Sequence, residues 1–152
     1  MTPRRITFSV PGQPVGASRP KFDGRRKRTY YPDAHKKWES KAVGWGRLAW
    51  GEKPIAAPVG VRITAILERP KTVRQRKSAL RSRILAPVKP DADNIAKLCL
   101  DACVKAGIIA DDNLVCELTV TTHYGWIGDH VPVKGPAEWE QPHTEISVWE
   151  LT

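Results

Sequence analysis

KPDADNIAKLCLDACVKAGIIADD, running from Lys89 to Asp112, is the stretch on which the reading of this chain turns. Ile95, Leu98, Cys99, Ala102 and Ala106 recur at helical spacing, with Pro90 just before the run and Gly107 just after it. That spacing and those punctuation residues predict a helix over Asp93 to Ala106 with one apolar face. Asp91, Asp93, Asp101, Asp111 and Asp112, five of only 16 acidic residues in the chain, fall in this stretch. An aspartate at a helix start is explained by capping and by the helix dipole. A second one is explained less well, and the adjacent Asp111 and Asp112 not at all.

Working outward, the segments on either side read as strands. Val59, Val61, Ile63, Ala65 and Leu67 share one face of a predicted strand over Val59–Leu67, and Leu114–His123 alternates in the same way. Short strands are predicted at Ile6–Val10 and Thr144–Leu151. A second helix is predicted over Ala34–Trp50, with Asp33 as cap, Gly51 as stop, and Trp38, Ala42, Trp45 and Ala49 on the core face. Residues 11–33 are rich in proline, glycine and basic side chains, which implies a loop or irregular hairpin. Arg69–Pro90, with eight basic residues and no acid, reads as a long loop. Tyr124–Pro142 reads as a long hairpin connection. The expected fold is a single α+β domain over residues 1–152, with a mixed sheet and two main helices on one face.

The chain of 152 residues is long enough to bury about two-thirds of its unfolded surface without a metal or disulfide staple. No apolar run approaches a membrane span, and the N-terminus does not resemble a secretion signal. Three cysteines, Cys99, Cys103 and Cys116, are an odd count outside any disulfide pattern, so a reduced cytoplasmic protein is expected. The net charge is +9 and unevenly spread. Residues 1–90 hold 22 Lys/Arg and 5 Asp/Glu, whereas residues 91–152 hold 3 and 11. This polarity suggests a polyanion-binding surface beside an acidic pocket, with nucleic acid as the polyanion. Arg19 and Lys21 in the first basic stretch, and Arg69, Lys71, Arg74, Arg76 and Lys89 in the second, are the candidate phosphate contacts.

In an extended segment Asp91 and Asp93 would point the same way. Clustered carboxylates need a cation or shared protons, and hard oxygen ligands suit Mg²⁺ or Mn²⁺. Lys97, four residues after Asp93, either pairs with a carboxylate or places its ammonium near a phosphate. A helix of about 14 residues is roughly 21 Å long. Local sequence therefore does not bring Asp112 to Asp91 and Asp93. Either loop geometry closes the site within one subunit, or some other arrangement completes it. A zinc site from Cys99, Cys103, Cys116 and His123 is a weaker alternative, because the helix stripe already explains Cys99 as core.

Pro90-Asp91-Ala92-Asp93-Asn94-Ile95-Ala96-Lys97, then Leu100-Asp101-Ala102, then Ala106 through Asp112, resembles the RusA family of Holliday junction resolvases. The family pattern is D-x-D-N-x-x-K, L-D-A-L, and G-(apolar)-(apolar)-x-D-D. Val10 to Val15, with Arg19-Pro20-Lys21, is similar to the family's N-terminal pattern. The resemblance implies a small homodimeric endodeoxyribonuclease, in many cases of phage or prophage origin. Such an enzyme uses Mg²⁺ or Mn²⁺ to nick opposed strands of a four-way junction symmetrically, in recombination and repair. It further implies Asp91, Asp93 and Asp112 as catalytic metal ligands and Lys97 as the essential lysine. Two other readings stand beside it: a non-catalytic nucleic-acid-binding module, and a nuclease of broader branched-DNA or flap specificity. The basic loop and the connection after Tyr124 both look long against the family pattern.

Overall fold

The computed structural model describes residues 2–70, 82–127 and 139–152. Among these described residues, seven strands and two α-helices follow in the order β1 (Arg5–Pro11), β2 (Lys21–Asp23), β3 (Arg28–Tyr30), α1 (Asp33–Ala49), β4 (Val59–Leu67), β5 (Ile84–Leu85), α2 (Ala92–Lys105), β6 (Val115–Tyr124) and β7 (His143–Glu150). Five strands form one mixed sheet in the order β1-β7-β4-β6-β5, and β2 with β3 forms a separate hairpin. The architecture is the expected α+β domain with two helices on one sheet face. Among the described residues no helix is long and apolar enough to cross a membrane.

Period-two alternation places one row of each strand under the helices. Ile6, Phe8 and Val10 of β1, Ile146 and Val148 of β7, and Val59, Val61, Ile63 and Ala65 of β4 are all buried in one cluster. The α2 stripe completes that cluster. Ile95, Leu98, Cys99, Ala102 and Ala106 are buried as the spacing implies, and each larger aliphatic side chain contributes about 1.5–3 kcal/mol.

β4 and β6 run parallel and in register from Gly60↔Glu117 to Leu67↔Tyr124. Parallel neighbours need a crossover, and α2 supplies it. It therefore runs against the strands, with its N-terminus at the end where β4 and β6 finish. β5 confirms that placement, since Leu85 pairs with His123 and Ala86 N–H donates to Thr122 O at 3.0 Å.

Three expectations are corrected. α1 buries His35, Trp38, Ala42 and Gly46 rather than Trp38, Ala42, Trp45 and Ala49. A Cβ on Gly46 would lie 3.0 Å from Ala106 Cβ and 3.2 Å from Ile108 Cδ1. The close approach of the two helix ends turns the glycine inward, and Trp45 is left 44% exposed. Asp33 is the first helical residue, and Pro32 takes the cap position. The chain after Tyr124 does not make a hairpin between neighbours. It closes through an Ile127↔Trp139 bridge, and β7 then inserts between β1 and β4 instead of pairing with β6.

Candidate active site and nucleic-acid interface

The acidic stretch splits into two groups at opposite ends of α2. Asp91 occupies the N-cap position with φ −66° and ψ 145°, yet its side chain bonds no backbone N–H. Asp93 sits in the first turn. The helix begins at Ala92, so the two carboxylates share a helix end rather than an extended segment. Both are exposed, and neither has a hydrogen bond or ion pair among the described residues. The capping explanation thus fails for the Asp91 carboxylate. The positive end of the helix dipole favours anionic oxygens at this position. Lys97 is exposed one turn on and makes no ion pair with Asp93, so its ammonium is also uncommitted.

At the other end Asp111 and Asp112 differ in role. Asp111 caps a short 3-10 turn over Asp112–Leu114, its Oδ1 accepting from Asn113 N–H at 2.9 Å. Asp112 is exposed and its carboxylate is unspent. Between the groups lies Asp101, half-buried and facing the same side as Lys97. Burial raises its carboxyl above the ordinary value, the negative charge of Glu39 adds to this, and Lys105 opposes it. Its place on the Asp93–Lys97–Asp101 stripe, at successive i+4 steps, was the signal that could have marked it as part of the site.

The helix between the two groups has 14 residues. Its length is about 21 Å at 1.5 Å per residue. Among the described residues no three His, Cys, Asp or Glu side chains come together to hold a metal ion. One chain therefore presents Asp91 and Asp93 as a pair and Asp112 elsewhere. Cys99 and Cys103 are buried in the core, while Cys116 is exposed on β6.

The N-terminal basic arm is fixed to the first turns of α2. Ala17 N–H donates to Asn94 O at 2.8 Å, and Ser18 N–H donates to His35 Nδ1 at 3.1 Å. His35 is 5% exposed and stacks on Tyr31 with ring centroids 4.5 Å apart. Accepting through Nδ1 leaves its proton on Nε2, which faces Glu39 Oε2 at 3.8 Å. The arm, α1 and α2 together enclose a cleft of about 270 Å³ lined by Arg19, Tyr31, His35, Asn94, Lys97 and Asp101, among others. Arg19 and Lys97, far apart in sequence, thus share one cleft beside the Asp91–Asp93 pair. His35 and Ser18 were missed from sequence, because a histidine on an amphipathic helix carries no pattern of its own.

The endodeoxyribonuclease RusA family model matches residues 11–148. This chain belongs to the RusA family. It is also similar to the uncharacterized protein YqaN of Bacillus subtilis strain 168, 28% identical over 155 residues and 97% of each chain. RusA-family proteins are endodeoxyribonucleases of Holliday junctions, and the match spans both the acidic stretch and the basic arm.

Measured against a nuclease's need for phosphate contacts, the basic candidates divide. Arg19, Lys21 and Lys89 are exposed, and Lys89 lies two residues before Asp91. Arg69 is not available to DNA. It is 3% exposed, and its guanidinium donates to Gly125 O at 2.9 Å and to Ser82 O at 2.7 Å. It is turned inward, tying the start of the long loop to Ser82 near the loop's end and to Gly125 just after β6. Lys71, Arg74 and Arg76 lie outside the described residues.

Proposed function

We propose that this RusA-family nuclease is a divalent-metal-dependent resolvase that works as a two-fold dimer and nicks opposed strands of a four-way DNA junction. The observation that carries the reading is the pair of exposed, uncommitted carboxylates of Asp91 and Asp93 at the positive end of α2, beside the Arg19–Lys97 cleft. Two hard oxygen donors without protein partners suit Mg²⁺ or Mn²⁺. When bound, such an ion activates water and stabilises the leaving oxygen of a phosphodiester. Asp91 and Asp93 would hold it, with Asp112 of the partner subunit. Lys97 and Arg19 neutralise and orient the phosphate in the cleft. Asp101 lines the same cleft beside Lys97, whose positive charge opposes the rise that burial gives its carboxyl.

An open sheet edge supports pairing with a second copy. β6 is bordered by β4 along its length, but β5 covers only His123 and Tyr124 on the other side. Among the described residues Cys116–Thr121 form an open edge, with Leu118 47% exposed. An open edge is a template for pairing. Antiparallel pairing of two β6 edges about Leu118 sets the start of one β6, where Asp112 lies, beside the end of the other. That end is where the partner's α2 begins.

The test is a labelled, immobile four-way junction incubated with wild type or Asp93→Asn, in Mg²⁺, in Mn²⁺ and in EDTA. Paired symmetric nicks by wild type with metal only, and binding without incision by Asp93→Asn, are expected. Tight binding with no incision by wild type in either metal would return Asp91 and Asp93 to ordinary helix-end charges. Equal cutting of flaps and junctions would point to the broader branched-DNA nuclease.

A further inference from the structure

The β2–β3 hairpin stands out in solvent: every residue from Arg19 to Tyr31 except Asp23 is exposed. It is held by its own chemistry. Asp23 Oδ1 accepts from Arg25 N–H at 3.0 Å and Arg26 N–H at 3.3 Å, and Lys27 takes the left-handed conformation at φ 48°. An aspartate bonding the backbone ahead of it is a turn device, so the tip is shaped rather than random. Across the ribbon Lys21 faces Tyr30, Phe22 faces Thr29, and Asp23 faces Arg28. Alternation puts Phe22 and Thr29 on one face and the Lys21–Tyr30 and Asp23–Arg28 pairs on the other.

Two features of the hairpin have no role in folding this chain. Arg25, Arg26, Lys27 and Arg28 crowd the tip against a single acid, Asp23. Phe22 is 69% exposed beside them. An aromatic ring that covers nothing, on a cationic ribbon, calls for a ligand with both phosphates and stacked bases. The base of the ribbon is fixed to the active end of α2 by Ala17 with Asn94 and by Ser18 with the buried His35. A Cβ on Gly16 would lie 2.9 Å from Pro90 Cβ, so the arm passes directly against the segment that leads into Asp91.

We propose that this hairpin is a DNA-opening ribbon, with its tip cations on the phosphates of a junction arm and Phe22 inserted between base pairs at the branch point. Apolar side chains are used in this way to unstack a base step while cations hold the backbone. The assignment rests on the junction-nuclease reading above. His35 is a positioning residue in it: its Nδ1 fixes Ser18, and so fixes the distance from Phe22 to Lys97.

The experiment uses a four-way junction with 2-aminopurine at the branch point, in EDTA, at saturating full-length protein. Wild type should raise the fluorescence. Phe22→Ala should still bind but lose the rise, and Phe22→Trp should keep it. In Mg²⁺, Phe22→Ala should cut the fully paired junction about tenfold or more slowly, the opening of a base step now being uncompensated. A junction with two unpaired bases at the branch point should restore Phe22→Ala to near wild-type cutting, which a loss of folding would not allow. Wild type and Phe22→Ala giving the same fluorescence and the same cutting would overturn the ribbon alone. Wild type that leaves the junction unbound would overturn the ribbon and the nuclease reading together.

Discussion

Mixing two dead variants should restore incision if each active site draws on two chains. Asp91 and Asp93 are separated from Asp112 by the 14-residue helix α2 and the turn after it. Ligand oxygens of one Mg²⁺ lie about 2.1 Å from the ion, so two of them are at most about 4.2 Å apart. Asp112 lines one pocket with Asp101 and Lys105, and Asp101 lies eight residues, about 12 Å, along the helix from Asp93, a gap that rotamer changes cannot close. Asp93→Asn and Asp112→Asn should each abolish cutting as pure proteins. In a mixed dimer one site carries both substitutions and the other carries neither. Equal mixing with free exchange makes about half of the dimers mixed, so nicking should return at roughly a quarter of the wild-type rate per site. The products should be single nicks rather than resolved duplexes, because only one site of each mixed dimer works. Denaturing gels of the labelled junction separate nicked strands, and native gels report resolution. No incision from the mixture, with dimer exchange verified by differently tagged chains, would show that one chain builds the whole site and would refute the argument from helix length.

Other expectations follow from the same contacts. Arg69→Ala should destabilise the protein by about 2–3 kcal/mol, read by denaturant melting, because buried carbonyls lose a charged donor. The salt dependence of junction binding should stay unchanged in that variant, whereas Arg19→Gln should make it shallower by about one contact. Arg83 binds Glu140 at 2.6 Å and Glu145 at 2.9 Å. Burial alone would raise both carboxyls, but the hydrogen bonds of Arg83, with Trp126 N–H at Glu140 and His143 at Glu145, outweigh it and lower both. With folded values below unfolded ones, this stabilisation is full above the unfolded glutamate range and is lost as pH falls through the folded values. The thermal midpoint should therefore drop on acidification, and less steeply in Arg83→Ala. Burial pushes the Cys103 thiol up to about 12 and the Cys99 thiol well above its ordinary value, so a thiol reagent should titrate only Cys116 before unfolding. Gly46→Val should cost about 1–3 kcal/mol by overpacking against Ala106 and Ile108, measured by the same melts.

What could be read from sequence was what depends on neighbours along the chain. The α2 stripe, the alternation in β4 and the brackets Pro90 and Gly107 are local patterns, and the structure keeps them. The strand order is not local: β7 lies between β1 and β4 because Ile146 and Val148 fill the row between Phe8 and Ile63, a fit that no short window encodes. The face of α1 failed for a related reason. Periodicity weighs the large Trp45, but the small Gly46 decides how closely the two helices meet. Arg69 looks in sequence like its basic neighbours, and its burial against the carbonyls of Gly125 and Ser82 is set by contacts distant along the chain. For the proposed site, the family resemblance names Asp91, Asp93, Lys97 and Asp112, while local spacing marks neither His35 nor the arm that brings Arg19 to Lys97.

The length of α2 ties these observations into one argument. A shorter crossover would let Asp112 fold back on Asp93 and make each chain sufficient. A helix of four turns sets Asp112 beside Asp101 rather than Asp93, and among the described residues no third His, Cys, Asp or Glu joins Asp91 and Asp93 to hold a metal ion. A nuclease that acts on one arm would gain nothing from that separation. A four-way junction must be cut twice, on opposed strands, and in the proposed dimer a half-site in each of two chains would make two-fold pairing a condition of having any site at all. In that proposal the open edge of β6 and the uncommitted carboxylates along α2 are parts of the same device.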